Sequence, residues 1–327
     1  MKKTDLEKLK GSFYIYSNGE YVVLPGTKLY IFKTDGSLVA CRNDLRYAGR
    51  ITFLSGNRML LCSSKAVFHM IDLCSGSDIW IAPYVKHNLN VNELAISPDE
   101  AFAYTYDEYK GINFISRLFL TTQEHEVDAQ DMYMDVGATR GIFCDSDGVP
   151  CLLKTLSETI GGKNINQNGV RIHDFDGIAP GGTTIWKAKW SFDNRTSISF
   201  WGSVNRILTN DLCIYDVVTG TLTPLLESEA YNQLPHQTIC DCWSDFTGRY
   251  MCLKYQTGNV IVDTQTRNIA AQYAANYMRG CLIGNEYWIC VNDRVCRKPF
   301  PAFEEIPPVK HTINMTGILP STRSSGN

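Results

Sequence analysis

The segment AISPDEAFAYTY, residues 95–106, places two short apolar runs on either side of the polar turn Ser97-Pro98-Asp99. Proline presets the backbone angle φ for a turn, and Ser and Asp side chains bond nearby backbone amides, so these residues favour a chain reversal. Two apolar runs joined in this way predict a β-hairpin. Similar turns occur at Ser17-Asn18-Gly19, Ser55-Gly56-Asn57, Asp145-Ser146-Asp147, Ser191-Phe192-Asp193, Ser244-Asp245-Phe246 and Ile283-Gly284-Asn285.

The spacing of these turns indicates a repeated unit. Their first residues, at positions 17, 55, 97, 145, 191, 244 and 283, are 38 to 53 residues apart. A repeat that forms a sheet of four short strands is roughly 40–45 residues long. Because one such sheet cannot bury its own apolar faces, we expect each unit to pack against its neighbours.

A second pattern follows most of the turns: a third apolar run that ends in Asp and leads into a tight turn. The copies are HMIDLCSG ending at Gly76, RIHDFDG at Gly177, CIYDVVTG at Gly220 and VIVDTQTRN at Asn268, with YIFKTDG, residues 30–36, as a looser copy. Two patterns that share one period favour a ring of packed sheets. The alternatives are a β-sandwich or two unrelated β domains.

The apolar-Asp pairs also resemble a known family. Ile71-Asp72, His173-Asp174, Tyr215-Asp216 and Val262-Asp263 stand where the WD40 family usually has Trp-Asp, and the chain resembles that family over residues 13–306. No repeat has the literal Trp-Asp pair, and the Gly-His pair that often opens a WD40 repeat is missing. The resemblance implies an all-β protein, a seven-bladed, WD40-like β-propeller with four antiparallel strands per blade.

Three segments are predicted along the chain. Residues 1–11 are an N-terminal leader, residues 12–306 the propeller, and residues 307–327 a C-terminal tail that is expected to be mobile because it loses the periodicity. The last unit has only three plausible strands. Either residues 303–306 or the segment near Phe13 is expected to supply its fourth strand and to close the ring.

Composition excludes several classes of partner. The net charge is −3 with both signs mixed along the chain, which argues against a nucleic-acid partner. Residues 1–10 lack the apolar centre of a signal peptide, and no apolar run reaches the roughly 18 residues of a membrane span. We therefore expect a soluble cytoplasmic protein with no membrane partner. Its twelve cysteines are expected to be reduced and mostly to fill the core, as at Cys62, Cys213, Cys252 and Cys290.

Sequence motifs for catalysis are missing. The six histidines have no metal-binding spacing, and the chain has no GxSxG or phosphate-binding glycine motif. Cys240 and Cys242 form a CxC pair, but without a second pair this is a weak zinc signal. The sequence therefore predicts no catalytic residue, no metal ligand and no cofactor.

Candidate binding residues lie on the long connections of the predicted ring. Connections between second and third strands, and between blades, fall on one side of it, which we call the top face. Three are predicted to be long loops there: residues 154–169, 202–210 and 227–236. Long connections on a rigid scaffold often carry binding residues. The predicted partner-binding residues are Lys163, Asn164, Asn166, Trp201, Tyr231 and His236.

Two functions fit this sequence. The first is a non-catalytic protein-protein interaction scaffold, a monomer by itself, that binds a protein or peptide partner through the top face. The second is a propeller enzyme resembling lactonases or lyases, with a polar site at the top of the central channel. The enzyme would need polar residues at the starts of the inner strands, such as His87, Asn92, Asp131, His236 and Asp241. The scaffold is favoured because these five match no family pattern.

Overall fold

The fold is almost entirely antiparallel β-sheet. The computed structural model describes residues 5–11, 13–45, 51–63, 67–83, 93–109, 112–130, 139–144, 150–160, 163–172, 178–179, 183–184, 187–191, 198–199, 206–209, 212–216, 221–237, 239–274 and 279–308. The helical structure in these ranges is one 3-10 turn, Leu6–Lys8, and one short helix, α1, Ser228–Tyr231. No helix in the same ranges is long and apolar enough to span a membrane.

The first three sheets contain four strands each, in chain order. Sheet I contains β1 (Tyr16–Ser17), β2 (Tyr21–Leu24), β3 (Leu29–Lys33) and β4 (Leu38–Arg42). Sheet II contains β5 (Ile51–Leu54), β6 (Arg58–Cys62), β7 (Val67–Asp72) and β8 (Asp78–Pro83). Sheet III contains β9 (Glu93–Ile96), β10 (Phe102–Tyr109), β11 (Ile112–Phe119) and β12 (His125–Gln130).

The remaining sheets follow the same plan with two departures. Sheet IV contains β13 (Thr139–Cys144), β14 (Pro150–Ile160), β15 (Lys163–Ile172) and, after a small hairpin of β16 (Ile178–Ala179) and β17 (Thr183–Thr184), β18 (Lys187–Ser191). Sheet V contains β19 (Ile198–Ser199), β20 (Arg206–Thr209), β21 (Cys213–Asp216) and β22 (Leu222–Pro224). Sheet VI contains β23 (Asp241–Ser244), β24 (Tyr250–Lys254), β25 (Asn259–Asp263) and β26 (Asn268–Tyr273). Sheet VII contains three described strands, β27 (Cys281–Ile283), β28 (Glu286–Val291) and β29 (Arg294–Pro299).

Neighbouring sheets pack face to face through separate apolar clusters. Such clusters join sheets I and II, II and III, V and VI, and VI and VII. A further cluster joins sheet VII to sheet I, where Trp288 packs with Val22 and Phe32. Central strands such as β6 and β25 are apolar at successive positions because both of their faces are covered. The last sheet therefore packs against the first.

The predicted turns connect first and second strands wherever the structure describes them. This holds for the turns after Ser17, Ser55, Ser97, Ser244 and Ile283 in sheets I, II, III, VI and VII. The turn at 145–147 lies outside the described residues. The prediction for the turn after Ser191 was wrong, because Ser191 ends β18, the last strand of sheet IV, and does not end a first strand. Residues 173–186 precede β18, so the fourth strand comes later in the chain than the period predicts.

The recurrent Asp ends the third strand and stabilises the turn that follows it. The Asp72 carboxylate accepts the backbone N–H groups of Cys74 and Ser75 at 3.1 and 3.2 Å. The Asp263 carboxylate accepts that of Gln265 at 2.9 Å. A short acceptor at this position satisfies amides that the reversal removes from the strand ladder, which explains why the pattern recurs.

The expected closure by a fourth strand in the last sheet is wrong within the described residues. Phe303 pairs with Gln272 of β26, so this segment joins sheet VI instead of sheet VII. The N-terminal segment bonds sheet VII at its ends, through Ile15 N–H to Arg279 O at 2.8 Å and Gly11 N–H to Asp293 O at 2.9 Å. Leu6, in the predicted leader, is buried in the cluster between sheets VII and I.

Candidate functional site

The connection from β22 to β23 is an anchored segment between sheets V and VI. Leu225, Leu226 and Ala230 are buried in the core that these sheets share. Glu227 N–H donates to Arg267 O at 2.9 Å, and the Arg267 guanidinium lies 2.9 Å from the Glu227 carboxylate. The start of the connection is therefore bound to the turn between β25 and β26.

The same connection ends at the opposite end of sheet VI. Gln237 Nε2 donates to Thr257 Oγ1 at 2.9 Å, and Thr257 lies in the turn between β24 and β25. Cys240 N–H then donates to Lys254 O at 2.7 Å, immediately before β23 begins. Because β25 separates the two turns that the connection contacts, the connection crosses sheet VI from one end to the other.

Two predicted partner-binding residues, Tyr231 and His236, lie on this connection. Tyr231 is the last residue of α1, and 49% of its surface is exposed. Burial, together with the neighbouring Tyr231, raises the pKa of Tyr255, which follows β24 directly. His236 is exposed beside Gln237. Both side chains are thus available to a partner while the backbone that carries them is held by buried neighbours.

Three other predicted residues lie on a hairpin where we predicted a loop. The loop prediction for residues 154–169 was wrong: β14 and β15 pair along their whole length, from Cys151 with Ile172 to Ile160 with Lys163. Lys163, Asn164 and Asn166 therefore belong to the tip of a long second-to-third-strand hairpin. The structure does not describe their side chains, and Trp201 lies outside the described residues.

The second predicted loop also contains a strand. Arg206–Thr209 is β20, the second strand of sheet V, so the prediction that residues 202–210 form a loop between second and third strands was wrong. The predicted unit had its first turn at Ser191, and because the strand before that turn belongs to sheet IV, the first two strands of sheet V come later in the chain than predicted, whereas Cys213–Asp216 is the third strand as predicted.

The polar set needed for the enzyme is described only in part. His236 and Asp241 are both exposed near the start of β23, whereas His87, Asn92 and Asp131 lie outside the described residues. Among the side chains that the structure does describe, no three His, Cys, Asp or Glu residues form a group that could hold a metal ion.

The segment after β29 is a further neighbour of this connection. The Pro307 carbonyl accepts hydrogen bonds from Gln237 Nε2 at 3.1 Å and from Thr257 Oγ1 at 2.5 Å. Ile306 packs against the core between sheets V and VI. The sequence predicts residues 303–306 as one candidate for the fourth strand of the last sheet, and it does not indicate these contacts with the connection.

Comparison with known proteins identifies the fold. No protein-family model and no curated protein matches the sequence. A chain in the crystal structure of the mitotic checkpoint complex is 11% identical with a TM-score of 0.55, over 93% of this chain and 96% of that one. A chain of hydrazine synthase from Kuenenia stuttgartiensis is 13% identical with a TM-score of 0.54, over 91% and 98%. Both are similar to this chain in fold, and the fold that they share with it is a β-propeller.

Proposed function

We propose that the protein is a seven-bladed, WD40-like propeller that acts as a protein-protein interaction scaffold and catalyses nothing itself. Sheets I to VII are the blades, and the partner is a protein or peptide bound on the top face. The proposal includes a cytoplasmic location and a chain that is a monomer by itself. The likeness to a chain of the mitotic checkpoint complex shows that a propeller of this size occurs in a protein assembly.

The observation that carries the proposal is the exposed Tyr231 ring on an anchored backbone. Tyrosine combines an apolar ring with a hydroxyl and loses little conformational entropy when it is fixed, so it is frequent at the centres of protein interfaces. Leu226 and Ala230 on the same connection are buried, which fixes α1 before any partner arrives. A surface that is already ordered avoids part of the entropic cost of binding.

The remaining predicted residues extend the proposed surface. Lys163, Asn164 and Asn166 lie at a turn between second and third strands, as Thr257 does in sheet VI. In a propeller, turns of this type fall on one side of the ring, which is the side proposed for Trp201 and His236. Polar residues around an aromatic centre are typical of a protein interface.

The test compares Tyr231 with another exposed aromatic residue that lies outside the connection from β22 to β23. Phe246 lies in the turn after β23, is 54% exposed and contacts Gly19 of sheet I. Affinity-tagged wild-type, Tyr231→Ala and Phe246→Ala chains are each purified from the native cell, and the bound proteins are quantified by mass spectrometry. We expect Tyr231→Ala to reduce the amount of one co-purified partner about tenfold or more, because a central interface residue is lost.

Phe246→Ala is expected to retain that partner, and His236→Ala to weaken it less than Tyr231→Ala does. The proposal fails if no protein co-purifies in a manner sensitive to Tyr231. It also fails if Phe246→Ala causes the same loss, because the effect would then not be specific to Tyr231.

A further inference from the structure

The segment after β29 pairs with the edge of sheet VI through one parallel bridge, between Phe303 and Gln272. We call residues 302–307 the strap. Gln272 N–H of β26 donates to Ala302 O at 2.7 Å, and Glu304 N–H donates back to Gln272 O at 3.0 Å. The pairing is parallel, whereas the other strands of sheet VI are antiparallel. The strap therefore covers an edge that the sheet itself leaves open.

Alternate side chains of the strap face the sheet and the solvent. Lys298 Nζ lies 2.7 and 2.9 Å from the two carboxylate oxygens of Glu304, and Ala274 N–H donates to the same carboxylate at 2.9 Å. Phe303 is 66% exposed, and Glu305 is exposed. Burial opposes the ionisation of Glu304, but the bonds from Lys298 and Ala274 outweigh it and lower the pKa of this carboxyl.

Gly258 makes room for the second inward side chain, Ile306. A Cβ on Gly258 would stand 2.8 Å from Ile306 Cγ1 and 2.9 Å from its Cγ2. The same Cβ would stand 2.7 Å from the Tyr273 backbone oxygen, so a side chain at residue 258 would disturb both β26 and the position of Ile306. The Pro307 carbonyl is then held by Gln237 and Thr257.

These contacts have the form of a peptide bound to a sheet edge. In that mode, main-chain bonds to an exposed strand hold the segment, and pockets for alternate side chains select its sequence. Here the selected features are a carboxylate, which matches the positive charge of Lys298, and a branched apolar residue two positions later. The ion pair of the strap is partly open to solvent, so it contributes only modestly to holding the strap on the edge.

We propose that the outer edge of β26, with Lys298, Gly258, Gln237 and Thr257, is a second docking site, for an extended partner-protein segment of the pattern Glu-x-Ile-Pro. The strap is its internal occupant and must leave before a partner segment binds. The apparent affinity for a partner is therefore the intrinsic affinity reduced by the fraction of chains whose strap is displaced. The site does not include Tyr231, so it does not rest on the scaffold proposal.

The experiment weakens the internal occupant and leaves the groove intact. In the full chain, Glu304→Lys places a second positive charge against Lys298, whereas Glu305→Lys makes the same change on the solvent side and is the matched control. The probe is a fluorescent peptide with the sequence of residues 300–308, FPAFEEIPP. We expect fluorescence anisotropy to show at least tenfold tighter binding to the Glu304→Lys chain than to the wild-type or Glu305→Lys chains.

Sequence-changed peptides test whether the groove selects the pattern. Peptides with Glu304→Lys or Ile306→Asp are expected to bind the Glu304→Lys chain at least tenfold more weakly than the original peptide. Equal binding of all three peptides would overturn the proposal, because the groove would then recognise neither the carboxylate nor the apolar side chain. Tyr231→Ala is expected to leave peptide binding unchanged, which separates a failure here from a failure of the scaffold proposal.

Hydrogen exchange at the Gln272 and Ala274 amides reports whether the strap has left. If Glu304→Lys unprotects them and the peptide still does not bind, the edge is not a docking site. If they stay protected, the strap is a fixed part of the sheet and the proposal is equally overturned. If the Glu304→Lys chain fails to fold, the test is repeated with a Lys298→Glu chain and the Glu304→Lys peptide, in which the two charges are reversed.

Light scattering distinguishes a partner protein from a second copy of this chain. We expect the wild-type chain to be a monomer. If the wild-type chain is a dimer and Glu304→Lys dissociates it, the edge binds the strap of another copy. That outcome would overturn the proposal that the partner is a different protein.

Discussion

Gly76, in the turn between β7 and β8, lies directly against Ala40 of β4, so that a Cβ on Gly76 would stand 2.2 Å from the Cβ of Ala40. The backbone angle φ of Gly76 is also positive, at 72°. Glycine is therefore required at this position for two separate reasons, the close approach of sheets I and II and the left-handed conformation of the turn.

Gly76→Ala is expected to lower the free energy of unfolding by about 2–4 kcal/mol. Roughly 1 kcal/mol comes from the left-handed backbone and about 1–3 kcal/mol from overpacking against Ala40. Gly284→Ala is the matched control, because Gly284 has φ of 59° but no atom within 4 Å of its would-be Cβ. Urea unfolding should show only the backbone cost, about 1 kcal/mol, for Gly284→Ala.

Adding Ala40→Gly to the Gly76→Ala chain should recover part of the steric cost. No recovery would mean that the contact between the two sheets is not the source of the destabilisation.

Asp263 is expected to make folding stability depend on pH. Burial opposes its ionisation, but the bonds from Arg249 at 2.8 Å and from the Gln265 and Thr266 amides outweigh it and lower the pKa of Asp263. A carboxyl whose pKa is lowered by folding stabilises the native state above its ordinary pKa and loses that contribution as the pH falls through the lowered value. Asp263→Asn should cost about 1.5–3 kcal/mol at neutral pH.

The difference between the Asp263→Asn and wild-type chains should shrink as the pH falls below about 4, because Asp263 of the unfolded wild-type chain then binds a proton, and it should be smallest once the native carboxylate is protonated at its lowered pKa. Urea unfolding of both chains at several pH values measures this. A difference that stays constant down to about pH 2 would contradict the assignment, because the charge of Asp263 would then not be what stabilises the turn.

The cysteines are expected to fall into two classes of reactivity. Cys62, Cys252 and Cys290 are buried, and burial raises the pKa of Cys252 to about 12 against the smaller opposing effect of its bond to Tyr287. Since the thiolate is the reactive form, buried thiols with raised pKa values react slowly. Alkylation of the folded chain followed by mass spectrometry should modify the exposed residues first: Cys41, Cys74 and Cys240.

Unfolding in urea should make all the cysteines react at similar rates. Rapid modification of Cys252 in the folded chain would contradict its place in the core between sheets VI and VII.

Glu100 is expected to couple sheets II and III. Its carboxylate accepts bonds from Arg58 at 2.6 Å and from the Ser55 N–H at 2.6 Å, which joins the first turns of the two sheets. The side chains of Arg58 and Glu100 are 37% and 24% exposed, so solvent screens their attraction. A double-mutant cycle with Arg58→Ala and Glu100→Ala should give a coupling energy of about 0.5–1 kcal/mol that falls as salt is added.

Zero coupling at low salt would show that the ion pair joins the turns without stabilising them. The Arg267 and Glu227 pair, 2.9 Å apart between sheets V and VI, offers a second cycle for comparison.

Features that depend on a few adjacent residues could be predicted from the sequence. The turns after Ser17, Ser97 and Ser244, and the Asp that ends β7 and β25, follow from side chains that bond nearby backbone amides. The turns after Ser55 and Ile283 follow from glycine with positive φ at their second position. The β14–β15 hairpin could not be predicted, because residues 163–168 read KNINQN, a composition typical of loops. Their pairing depends on the opposite strand, which local composition does not record.

The amino-acid sequence alone determined that the chain forms mainly β-strands and how their turns are stabilised, because these preferences act within four or five residues. It also determined the period of the units, because the same local patterns recur along the chain. Only the tertiary structure decided that Lys187–Ser191 joins sheet IV and that Phe303 joins β26. It also decided that Ala40 meets Gly76. Each of these contacts joins residues distant in the chain, so each depends on the packing of whole sheets rather than on the preference of any one residue.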